Sequence, residues 1–303
     1  MKRDFLLTAI LAVFFCSNVY SQVELKTEYL APRRYENNKH EKTSGYGSSM
    51  TTSLHARSLM RVQQNKYMAP KLWLMTLSST YSSLKHSREA KVALPNEMSS
   101  FDLGLQHIRP LTDNLTFVGG ISAGVYSTHA SFNKLRAHNI IGTIYTSLVW
   151  DLGNGLELGM GAVFNNALKY PVPIPAPCIK WYRLFGCGFL VDIDISHQPK
   201  FAFGYKFSEK AKISIINRPM RHYGIAQEDG KNRLFEQAYV TVVVEPEFTF
   251  GNLSIPISIG GNFARVERFR QRTPLTFYRF HSANFNPSFY GAVAIKYYFG
   301  KMK

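Results

Sequence analysis

Strict two-residue alternation of apolar and polar side chains restricts this chain more than any other feature. Across residues 239–250, Val240, Val242, Val244, Pro246, Phe248 and Phe250 share one side of an extended strand, while Tyr239, Thr241, Glu245, Glu247 and Thr249 share the other. The next segment repeats the pattern, with Leu253, Ile255, Ile257, Ile259 and Phe263 against Ser254, Ser258, Gly260 and Asn262. Phe189, Val191, Ile193 and Ile195 oppose Asp192 and Asp194 in the same way. No stretch after residue 21 approaches the ~18 consecutive apolar residues of a spanning helix, so helical membrane crossing is excluded. With 45% hydrophobic residues and a mean hydropathy of −0.15, the chain is too apolar for disorder.

Read throughout in this way, the sequence predicts an all-β protein, a transmembrane antiparallel β-barrel. Its 14 strands fall near 23–31, 50–63, 70–83, 98–110, 115–127, 139–151, 156–166, 174–182, 187–195, 200–207, 211–221, 237–250, 253–266 and 287–299. Short connections at 64–69, 111–114, 152–155, 183–186, 208–210 and 251–252 alternate with long ones at 32–49, 84–97, 128–138, 167–173, 222–236 and 267–286. Only 196–199 breaks the alternation. Short periplasmic turns on one rim and long extracellular loops on the other mark an outer-membrane barrel, whereas a β-sandwich has no reason to segregate loop lengths. Trp150, Trp181, Tyr182, Tyr205, Phe207, Phe248, Phe250, Tyr297 and Phe299 all sit beside short turns or the C-terminus, as an interfacial aromatic belt would.

Lys2 and Arg3, then an apolar run from Phe5 to Phe15, then Val19-Tyr20-Ser21, read as a signal peptide (1–21) cleaved before Gln22. Residues 22–303 are then a single barrel domain. A lipoprotein reading through Cys16 is disfavoured by the bulky Phe15 before it. Cys178 and Cys187 remain, either paired across neighbouring strands or as two inert thiols.

The last strand, Gly291 to Phe299, resembles the C-terminal insertion signal of bacterial outer-membrane barrels, although Lys301, Met302 and Lys303 extend past it. That resemblance implies barrel-insertion machinery as a partner. Leu25-Lys-Thr-Glu-Tyr29, His107-Ile-Arg-Pro-Leu111 with Asp113, Ala123-Gly-Val-Tyr126, Asn139-Ile-Ile-Gly142, Tyr170-Pro171 and Gly204-Tyr-Lys-Phe-Ser208 are similar to the landmarks of a Bacteroidota family of outer-membrane β-barrels of unknown function. The similarity spans nearly all of 23–299 and implies fold and location, with no site residues attached.

HExxH, P-loop, GxSxG, CxxC and helix-opening GxGxxG patterns are absent, so the reading is non-enzymatic, with no cofactor and no metal. His55, His129, His138, His222 and His281 are scattered over different strands and loops. Charged residues on the polar faces must line the lumen, because each would cost roughly 2–4 kcal/mol facing lipid near the midplane. Among them are His55, Arg57, Arg61, Asp192, Asp194, Glu245, Glu247 and Lys296, with Asp102, Gln106, Glu157 and Lys206. Such a mixed lining makes either a hydrated channel or an internal ion-pair network that fills the barrel.

The net charge is +16, and much of it lies in or near the long loops, densest at Arg265, Arg268, Arg270, Arg272 and Arg279. Arg268, Arg270 and Arg272 share a side if the strand extends outward, forming a candidate anion site for lipopolysaccharide phosphates or an anionic solute. Export makes nucleic acid an unsuitable partner; outer-membrane lipid and lipopolysaccharide are the expected ones. Pro171, Pro173, Pro175 and Pro177 occupy alternate positions entering strand eight, and would remove the backbone donors along one side of it. Either 171–177 is a polyproline-like loop with pairing from Cys178 onward, or it is a weakened seam in the wall. Two functions fit: a channel or transporter for a small anionic or amphiphilic solute, and a non-conducting structural or adhesive surface protein whose basic loops bind envelope polysaccharide.

Overall fold

The computed structural model describes residues 21–36, 42–63, 69–87, 94–129, 136–167, 173–184, 188–194, 199–228, 231–271 and 283–299. The strands are β1 (Ser21–Glu36), β2 (Lys42–Gln63), β3 (Lys71–His86), β4 (Glu97–Pro110), β5 (Leu115–Ser127), β6 (Ile140–Asp151), β7 (Leu156–Asn165), β8 (Ile174–Pro175), β9 (Cys178–Leu184), β10 (Phe189–Asp194), β11 (Lys200–Ser208), β12 (Ala211–Glu228), β13 (Lys231–Phe250), β14 (Leu253–Gln271), β15 (Ala283–Phe285) and β16 (Ser288–Phe299). Two are fragments: β8 continues into β9, and β15 into β16. The wall therefore has fourteen staves. Each stave pairs antiparallel with its sequence neighbours, and β1 with β16 closes the ring from Ser21↔Phe299 to Leu30↔Tyr290. An even number of staves brings both ends of the barrel to the short-turn rim.

Alternation translates directly into two faces. Ile121, Ile144, Ile215 and Ile259 point outward and are each 55–58% exposed, an arrangement that suits lipid rather than water. Outward aromatics pack edge to edge at the short-turn rim, Tyr205 on Phe207 at 5.0 Å and Tyr297 on Phe299 at 4.8 Å between ring centroids. One two-residue turn there, Gly251-Asn252, uses a positive φ of 60° at Gly251 to reverse the chain.

Several strands run well past their expected ends. Residues 222–236 are not a loop: β12 and β13 pair without interruption from Ala211↔Phe248 to Glu228↔Lys231. Likewise β1 and β2 stay paired, through register shifts, as far as Glu36↔Lys42, and β14 continues to Gln271. In the β12–β13 extension Gly224 and Ile225, and then Leu234, Phe235, Glu236 and Gln237, are buried in succession, so alternation fades there. The signal-peptide reading falls on residues 1–20, outside the described residues, as do Cys16, Pro171, Cys187, Arg272, Arg279 and His281.

Candidate functional site

Among the described residues the polar faces converge on the lumen, and its two sides differ. On β12, β13, β14 and β16 the inward residues are buried: Ile216, Met220, Tyr239, Val243, Tyr290 and Ala292 form one cluster with Leu30 and Ala202. Charges among them are paired. Arg218 grips Glu245 with both terminal nitrogens (3.2 and 3.3 Å), and Glu245 also accepts from the Ser258 hydroxyl. Lys212 lies 2.9 Å from Glu247, which accepts from Ser254. Glu28 is held by Lys26 and the Tyr290 hydroxyl, with His222 on Tyr239 (3.1 Å) above. Pairing of this kind is what permits carboxylates to be withdrawn from water.

The opposite wall is different. Inward positions on β4–β7 carry Gly104, Gly120, Ser122, Gly124, Thr143 and Gly161, and those on β9 and β10 carry Cys178, Lys180, Asp192 and Asp194. Apart from Gly124 these are partly solvent-accessible, and they alternate with larger inward side chains, among them Asp102, Gln106 and Tyr145. Lys200–Asp192 (2.6 Å) and Lys180–Asp194 (3.9 Å) pair on this wall, and Cys178 is a free thiol.

At the long-loop rim, the β12–β13 ribbon folds inward across the mouth. Ile225 bridges to Ser127 of β5, almost diametrically opposite β12 in the wall, and the Asn139 side chain donates to Ile225 O (3.3 Å) and Tyr126 O (3.0 Å). Ile225 and Leu234 pack on Ile141 and Ala167, while Phe235 reaches Leu84 and Met98 on β3 and β4. Two buried carboxylates anchor this crossing. Glu267 takes Arg265 (2.6 Å), Gln237 (2.8 Å) and His86 (3.7 Å), and Arg265 also donates to Gly47 O (3.1 Å) with its guanidinium 4.1 Å from the Phe285 ring centroid. Glu236, fully buried, holds Arg268 (2.7 Å) and Arg270 (3.0 Å), with Arg221 at 3.9 Å.

These contacts revise several expectations. Arg268 and Arg270 do share a side, but they are turned onto Glu236 instead of standing as a solvated anion site, because a buried carboxylate needs the countercharge. Arg61 does not line the lumen. A bulge between Leu59 and Arg61 shifts the register, so that Arg61 pairs with Trp73 on the outward face, where Trp73 stacks on His107 at 4.2 Å. His55 (2.8 Å from Ser78), Arg57, Asp192, Asp194, Glu245, Glu247 and Lys296 (4.0 Å from Glu24) face inward.

The prolines lie between the two readings of strand eight. Ile174 and Pro175 pair with Val163 and Ala162 of β7, and Ala176 N donates to Gly161 O at 2.9 Å, so 173–177 is not wholly a loop. On the β10 side the described ladder ends at Asp194↔Cys178. Pro173, Pro175 and Pro177 thus leave the β7 side satisfied and place their missing donors on the other.

The described histidines do not gather: His129 lies just past β5, His138 in a short turn, and His222 is half-buried on β12. Among the described residues no three His, Cys, Asp or Glu side chains are grouped to hold a metal.

Residues 17–298 match the family described as Domain of unknown function (DUF6268). No curated protein matches the chain. Among solved structures it is similar to the COG4313 outer membrane channel from Pseudomonas putida F1 (10% identity, TM-score 0.49, 94% of this chain and 98% of that one). It is also similar to the Pseudomonas putida toluene transporter TodX (9%, 0.40, 96% and 91%) and to the KdgM porin in complex with disordered oligogalacturonate (8%, 0.33, 91% and 98%). Likeness at these scores transfers no residue role.

Proposed function

We propose that this chain, which belongs to the DUF6268 family, is an outer-membrane channel for a small anionic or amphiphilic solute, with its long-loop mouth narrowed by an inward-folded ribbon. The observation that supports this reading is the contrast between the packed cluster on β12–β16 and the partly solvent-accessible inward positions of β4–β10, several of them glycine or serine. A structural barrel needs no such contrast, and packing throughout would stabilise it further. The rival role as a polysaccharide-binding surface protein needs free cations at the outer rim. Arg268 and Arg270, engaged with Glu236, are poor candidates for it.

The ribbon supplies the test. Ile225 and Ser127 are bridge partners, close enough for a disulfide. In a Cys178→Ser, Cys187→Ser background, the pair Ile225→Cys and Ser127→Cys is expected to lower single-channel conductance in planar bilayers when oxidised, and dithiothreitol to restore it. Absence of any current from the unlinked protein would overturn the channel reading. Identical current in linked and unlinked protein would remove the ribbon from the pathway.

A further inference from the structure

Six cations of the barrel interior hold a carboxylate: Lys26, Lys180, Lys200, Lys212, Arg218 and Lys296. Arg57, on the inward face of β2, does not. Among the described residues it makes no ion pair; its one side-chain partner is neutral, with Nη2 donating to Gln106 Oε1 at 2.8 Å, and its Nε–H is buried without an acceptor. Arg57 is half-buried, and a buried orphan donor on its guanidinium is costly unless something else completes it.

The surroundings define what would complete it. Gln106 spends its oxygen on Arg57, leaving its amide hydrogens as donors. Gly120 stands across the ladder from both Gln106 and Tyr145, and the partly solvent-accessible Tyr145 ring lies over it, where any Cβ would overlap the ring. Arg57 offers only donors, and the Gln106 amide adds two more, next to an aromatic ring. We propose that Arg57, Gln106 and Tyr145 form a binding site in the channel for a small carboxylate carrying an apolar group: the carboxylate is received by Arg57 and Gln106, and the apolar part lies on Tyr145. One guanidinium matches a singly charged carboxylate. This rests on the channel reading for its role in transport, although binding itself does not require conduction.

Benzoate and its neutral isostere benzamide are the probes, titrated into the purified full-length protein in detergent and followed by ligand-observed NMR. Benzoate is expected to bind at least about tenfold tighter than benzamide, a difference of about 1.4 kcal/mol. It should weaken by a similar factor in Arg57→Gln and less in Arg57→Lys. Should Arg57→Gln fail to fold, Gln106→Glu gives Arg57 an internal carboxylate and is expected to abolish benzoate binding. Equal binding of benzoate and benzamide, or unchanged benzoate binding in these variants, would overturn the site. Displacement of benzoate by equimolar phosphate would overturn the assignment to a carboxylate. Benzoate binding without bilayer current keeps the site and removes the channel; current without benzoate preference does the reverse.

Discussion

Ala264 is held at a φ of 50°, a left-handed conformation that costs a non-glycine residue about 1–2 kcal/mol. The strain has a use. Tyr239 stands opposite this bulge, between Ala238↔Val266 and Val240↔Phe263, and the extra residue turns Arg265 and Glu267 into the mouth. Bulges explain why individual charges were the least legible part of the sequence. Arg61 reads as lumenal, and Arg265 as part of a solvated loop, because a one-residue insertion reverses every later side chain without altering composition. Burial of Glu236 is equally hidden, since its countercharges lie 32 and 34 positions away along the chain. Its importance is testable. Glu236→Gln removes the buried carboxylate that Arg268 and Arg270 share, and breaking a buried pair costs about 3–5 kcal/mol. The variant is expected to keep the barrel but undock the ribbon, raising conductance and exposing 221–236 to protease. Unchanged protease resistance would mean that the ribbon is held without Glu236, by its apolar contacts, Asn139 and the Glu267 cluster.

At the scale of the strand, the sequence was a good guide where one face meets lipid and a poor one elsewhere. All fourteen staves lie close to their expected positions, because a wall between hydrocarbon and water imposes period two. Where β12 and β13 leave that wall and become covered on both faces, the pattern loses its contrast and a ribbon passes for a loop. The same logic gives a quantitative check on the faces. Ile144 points outward and its strand neighbour Thr143 inward. Ile144→Lys is expected to lower the unfolding free energy in lipid vesicles by about 2–4 kcal/mol, and Thr143→Lys by much less. Equal losses in urea titrations would contradict the assignment of the two faces.

For the whole molecule, closure depends on the first and last strands. The paired segment begins at Ser21, so a cleavage before Gln22 would give up one rim pair and the Ser21–Ser58 contact while keeping the ladder from Gln22 to Leu30. Strand number, antiparallel order and closure were legible together because they follow from alternation and connection length. Division of the lumen was not, since it depends on which inward side chains meet across the ring. The ribbon across the mouth has an electrical consequence. In the proposed channel an applied voltage would fall mainly over the end that the ribbon crosses, the long-loop end. Arg57, paired with Gln22 just inside the short-turn rim, lies beyond that drop. An anion crossing the full potential exchanges about 2.3 kcal/mol per 100 mV, whereas one entering from the short-turn side reaches Arg57 through little of it. Benzoate block is therefore expected to be nearly voltage-independent from the short-turn side and steep from the other, so that the channel rectifies according to the side on which the anion is supplied.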